Sequence, residues 1–285
     1  MSALFDTPLH QAVSDFAGLM LPLSESDLER DWTWKDHDEE GIRFACFVTL
    51  QELRHLAVRL STTLSKPTAA QHILSQYHAS YMDLQAALLG VSNEAAEREP
   101  AEGEWSVKRV YAHILGTDIN FSIVVRYALE KHRSGSWTPE KYSDAEADRL
   151  AGISDDDYLA LIGGPLDRML DYHRDLHAGI VEEFRSISDA ELELPSTFWE
   201  ETRFPIQHRL HRFEAHFTQH TIQIDKTLVS VGQPPSESKR LLRKIFSALA
   251  EVDSAQIGHK ITDDAALIAA ASSIADRVKE IRGLL

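Results

Sequence analysis

Two histidines four residues apart, His216 and His220, stand in the middle of the segment IQHRLHRFEAHFTQHTIQIDKTLVSVG. In a helix of about 100° per residue, His220 lies about 40° round from His216, so both imidazoles face one volume. The same projection puts Gln223 at about −20°, Thr227 and Arg209 at about 20°, Arg212 at about −40° and Phe213 at about 60°. His208 and His211 fall about 80° and 140° away and belong elsewhere. Two imidazoles so placed can bind one divalent ion at ~2.0–2.1 Å if a third ligand arrives from another element. His113 is the best candidate, because its segment is otherwise apolar at Val110, Ile114, Ile123 and Val124. Three such ligands leave coordination positions open, the arrangement by which a metal activates water or a thiol. The pair alone does not decide the matter, since a core histidine bonded to a carbonyl fits the same residues.

The other chemistry-bearing residues read as structural. His10, His37, His55, His132 and His259 have no acidic or histidine partner at helical spacing and are expected at the surface or in packing. His72 and His78 diverge by about 120° on a helix. His173 and His177 share a face, but Asp171, Arg174 and Asp175 beside them favour a solvated face over a metal site. Cys46, within GIRFACFVTL, reads as a small buried hydrophobe. Trp32 and Trp34, followed by the acidic stretch Asp36 to Glu40, are expected to pack rather than to line a pocket. No helix-borne acid points at the histidine pair: Glu214 and Asp225 lie about 160° and 180° from His216.

The elements that must position these residues are helical. A first amphipathic helix is expected from about Glu39 to Leu64, ended by Pro67. A second, capped by Thr68, ends near Gly90, and a third begins at Ser106 and closes on Lys131, His132 and Arg133, which suit the negative end of the helix dipole. The stretch from Ser136 to about Ser154 reads as a surface connector. A fourth run from Asp155 to about residue 187 is interrupted or started by Gly163-Gly164-Pro165, and a fifth runs from Pro205 to Gly232, stopped by Pro234-Pro235. Two further helices follow, with caps near Ser236 and Thr262. No segment alternates convincingly as a strand.

Composition agrees. With 13 Gly and 10 Pro in 285 residues, turn residues are too few for a many-stranded β fold. A net charge of −16 and the lack of a basic cluster larger than Lys239, Arg240, Arg243 and Lys244 argue against nucleic acid. No apolar run approaches the ~20 residues of a membrane span. The N-terminal stretch MSALFDTPLH carries an early acid and no positive leader, and one cysteine allows no internal disulfide, so a cytoplasmic location is expected.

Trp105-Ser106 followed by His113 in EWSVKRVYAHILG, with HFTQHTIQI about a hundred residues on, resembles the DinB/YfiT-like superfamily of four-helix bundles. The likeness covers residues 68–233 and implies an all-α fold with bundle helices near 68–90, 106–132, 155–187 and 205–232. Residues 1–67 and 234–285 then become helical extensions. It implies a metal triad at His113, His216 and His220, with zinc or nickel typical, and a low-molecular-weight bacterial thiol as cosubstrate in an S-transferase or isomerase. Thr117 and Asn120, one and two turns beyond His113, and Gln223, which matches the motif's glutamine, become candidates for cofactor or substrate contacts. Their other reading is buried, hydrogen-bonded polar residues. A small-molecule substrate is expected. The competing expectation is a non-catalytic module whose terminal helices dock a partner or a second copy as a homodimer.

Overall fold

The computed structural model describes residues 6–35, 37, 41–200, 202–259 and 265–285. Among them the chain is all-α. The helices in order are α1 (Pro8–Met20), α2 (Glu25–Leu28), α3 (Phe44–Thr63), α4 (Ala69–Leu88), α5 (Asn93–Glu97) and α6 (Val107–Arg133). They continue as α7 (Asp144–Ala151), α8 (Asp155–Gly163), α9 (Leu166–Phe184), α10 (Asp189–Leu192) and α11 (Ile206–Ser230). The last two are α12 (Glu237–Gln256) and α13 (Ala265–Leu284). One antiparallel pair of two-residue strands, β1 (Pro195–Ser196) and β2 (Phe204–Pro205), closes the loop before α11.

The chain divides into two compact units. The first comprises residues 1–66, 82–90 and 234–285, so the two flanking segments fold together with the end of α4. Its α1, absent from the long periodic runs of the sequence, begins at a clear cap: Thr7 accepts from the His10 N–H, and Pro8 occupies the first turn, where a missing N–H costs nothing. Trp32 and Trp34 stack with ring centroids 5.8 Å apart and are buried, as packing residues should be. Arg277, fully buried, lies over Trp34 and pairs with Glu52. Cys46 is buried, and burial pushes its thiol up to about 12, which suits a hydrophobe and not a nucleophile. Gly90 ends α4 at φ +69°, where a Cβ would also meet Leu21 Cδ2 at 2.7 Å. The expected start of the first long helix at Glu39, the acidic residues 36 and 38–40, and the cap at Thr262 lie outside the described residues. Helix α3 itself begins at Phe44.

The second unit comprises residues 67–81 and 91–233. Its core is a bundle of the first part of α4 with α6, α9 and α11. The Gly164-Pro165 break splits the fourth expected helix into α8 and α9, because Pro165 cannot continue a helix through its own nitrogen. Along the bundle axis lies a polar chain. Tyr77 of α4 donates its hydroxyl to Asp118 of α6 at 2.8 Å, His173 of α9 reaches the same carboxylate at 3.2 Å, and the Tyr111 hydroxyl meets His173 Nδ1 at 2.8 Å. His78 Nδ1 lies 3.0 Å from His177 Nε2, and Tyr81 stacks on His177 at 3.9 Å.

This corrects the expectation that His173 and His177 occupy a solvated face: both are 0% exposed. Asp171, Arg174 and Asp175 are exposed, pairing with one another on the outer side of α9. Burial first, then the neighbouring His78 and His173, holds the His177 pKa well below the usual histidine range. An unfolded chain therefore takes up a proton there below about pH 6.5 that the folded chain refuses, and stability falls as pH drops, by about 1.4 kcal/mol per pH unit for this one site. Denaturant midpoints measured from pH 7.5 to 5 should show that loss below pH 6.5, and His177→Gln should flatten it by roughly one proton's worth. An unchanged slope would show that His177 does not carry it.

Candidate metal centre

Helix α6 starts at Ser106, whose hydroxyl accepts from the Arg109 N–H, and this cap fixes where each later side chain of the helix points. His113 emerges two turns on. The Trp105 ring, just before the cap, meets the His113 ring edge-on at 5.3 Å, while the Arg109 guanidinium covers Trp105 at 4.9 Å. The tryptophan thus holds the imidazole against α11. Helix α11 starts at Ile206, directly after Pro205, and carries His216 and His220 on the face turned to α6.

The three rings converge. Centroid separations are 4.9 Å for His113 and His216, 4.8 Å for His113 and His220, and 4.3 Å for His216 and His220. One nitrogen from each lies within 4.8 Å of the others, and the Nε2 atoms of His113 and His216 are 3.1 Å apart. Two nitrogens on a tetrahedral ion at ~2.0–2.1 Å stand ~3.3 Å apart, so this pair already has the required bite. His220 Nδ1–H donates to Gln223 Oε1 at 2.8 Å, which leaves its Nε2 lone pair free to act as a ligand. His216 and His220 are buried, and His113 is the most open of the three.

The protonation states fit as well. Burial, reinforced by the His220 and His113 imidazoles and by the Arg212 guanidinium, brings the His216 pKa down to about 3. Burial and then His220 lower His113 too. Both are neutral near pH 7, the form in which imidazole binds metal. Three imidazole nitrogens suit zinc, nickel, copper or iron and do not suit the oxygen-seeking calcium or magnesium. The donor set therefore fits a transition-type divalent ion.

One side of the triad opens onto a cavity of about 510 Å³, lined by Pro100, Glu104, Trp105, His220, Gln223 and Lys226 among others. Phe121 packs on the triad as well: its ring meets His216 at 5.8 Å and lies under the Arg212 guanidinium. Of the residues expected around the histidines, Gln223 is joined to them by its bond to His220. Thr117 is half-buried one turn beyond His113, and Asn120 is exposed and lines a separate cavity of about 230 Å³ with Gly116 and Tyr158. Neither hydrogen-bonds a histidine of the triad. Arg209, on the same face of α11, is committed to Glu200 at 2.9 Å and to Ser196 at 3.0 Å. No spacing in the sequence singles out Glu104 or Lys226, although Glu104 directly precedes the Trp105-Ser106 pair that carries the resemblance.

Residues 76–224, just over half of the chain, match a family model described as the DinB superfamily, and the match takes in all three histidines and Gln223. No curated protein and no solved structure shows a significant match. Among the described residues no helix is long and apolar enough to cross a membrane.

Proposed function

The chain belongs to the DinB superfamily, and from that premise we propose that it is a metal-dependent enzyme acting on small molecules, with His113, His216 and His220 holding one zinc or nickel ion. The observation that carries this reading is the convergence of three imidazole nitrogens beside an open cavity. A bound ion would supply Lewis acidity, lowering the pKa of a low-molecular-weight thiol or of water so that it can attack an electrophile. The rest is the work of the chain. Gln223 fixes the tautomer of His220, Trp105 holds His113 in place, and Phe121 closes one side of the site against water. Three protein ligands, rather than four, favour an enzyme over a structural metal site.

Metal uptake is the first test. Protein stripped with a chelator and dialysed against Zn²⁺ or Ni²⁺ should retain one equivalent per chain, and no retention would overturn the reading. In the Co²⁺-loaded protein, 2-mercaptoethanol should raise a sulfur-to-cobalt absorption band if the second substrate is a thiol. A spectrum unmoved by thiol, together with ester or amide hydrolysis, would assign water instead.

A further inference from the structure

We propose that the cavity beside His220 is a subsite for a small zwitterion, an amino acid or a compound with a free amino-acid end. Its carboxylate would meet Lys226 and its ammonium Glu104. Both side chains are exposed and line the same cavity of about 510 Å³, a volume within the range of small-molecule sites, and no ion pair joins them to each other or to a described neighbour. Lys108 and Arg126, on α6 itself, are paired to Glu97 and Glu183, as an acidic chain readily allows. The half-buried Trp105 and Pro100 add an apolar wall to the same cavity, and Trp105 is held by its contacts with Arg109 and His113. The ligand is thus offered a cation, an anion and a rigid apolar surface.

Charge selects among ligand classes. A simple cation that suits Glu104 is disfavoured by Lys226, and a plain anion that suits Lys226 is disfavoured by Glu104 and by a chain of net charge −16. A neutral zwitterion satisfies both groups and escapes the long-range repulsion. The inference goes beyond the proposed function, because the charge recognition itself needs no metal.

The test therefore uses the full-length chain freed of metal by chelator, with L-methionine, its methyl ester and N-acetyl-L-methionine as probes, and the Trp105 indole N–H resonance as readout. Assignment by Trp105→Phe identifies that signal. L-methionine should bind about ten-fold more tightly than either blocked form. Lys226→Met should weaken L-methionine about ten-fold without weakening the cationic ester, and Glu104→Gln should weaken it similarly without weakening the anionic N-acetyl compound. Equal affinities for the three probes, or variants that weaken all three alike, would overturn the subsite. Failure of the metal-uptake test would overturn the metal centre while leaving this result standing, so the two failures are distinct.

Discussion

Adding Zn²⁺ to the metal-free protein is expected to raise its unfolding temperature by several degrees, and His216→Ala is expected to remove that increment while changing the metal-free value little. A ligand that binds only the folded state stabilises it by about 2.7 kcal/mol at a hundred times its dissociation constant, and at this size each kcal/mol moves the midpoint by about 2–4 °C. His216 is the right residue to remove because its Nε2 lies 3.1 Å from that of His113 and burial brings its pKa down to about 3. Its loss leaves His113 and His220, which face each other from different helices and cannot enclose an ion between them alone. The affinity should fall at least a hundred-fold. Gln223→Leu should lie between wild type and His216→Ala, with a loss of about ten- to hundred-fold, because it frees the His220 tautomer without removing a ligand. Calorimetric unfolding scans with and without Zn²⁺ read all three proteins. A zinc increment that survives His216→Ala would place the ion elsewhere.

Much of this centre was legible in the sequence because a helix converts spacing into direction. His216, His220 and Gln223 fall on one face by arithmetic alone, and the Ser106 cap sets the phase of His113 in the same way. What spacing cannot supply is the partner across the groove. Glu104 and Lys226 line one cavity from different segments, and Trp105 touches His113 from outside the helix that carries it. His173 and His177 are the counter-case. Their charged neighbours in sequence, Asp171, Arg174 and Asp175, are not their neighbours in space. On a helix those three lie about 160°, 100° and 160° from His173, whereas Met169, Ile180 and Phe184 lie within about 40° of it. The histidines belong to the apolar stripe of α9, by the same helical geometry that sets His216 and His220 on one face of α11. The cap at Thr7-Pro8 is equally legible in the letters, but the 13-residue helix it starts is too short to show a long periodic run.

Asp118→Ala should destabilise the bundle by about 3–5 kcal/mol, far more than the loss of a small side chain alone, because it strands two buried donors. Asp118 is 1% exposed, and the bonds around it fit one assignment of protons. The Tyr111 hydroxyl donates to His173 Nδ1, so His173 carries its proton on Nε2 and gives it to Asp118, while the Tyr77 hydroxyl donates to the same carboxylate. Burial first, then the Asp118 charge, pushes the Tyr77 pKa well above the usual phenol range, so Tyr77 keeps that proton. Removing the acceptor leaves Tyr77 O–H and His173 N–H facing apolar side chains such as Phe217. Asp118→Asn keeps one oxygen for His173 and turns its amide toward Tyr77, and should cost less than half as much. The chain of bonds ties α4, α6 and α9 into one register, yet Asp118 lies about 140° round α6 from His113 and points away from the metal ligands. The zinc-dependent increment in unfolding temperature should therefore persist in Asp118→Asn. Denaturant unfolding of the two variants, with and without Zn²⁺, checks both halves. Equal costs for Ala and Asn would deny the network its role, and loss of the zinc increment in the Asn variant would join the two sites that the geometry keeps apart.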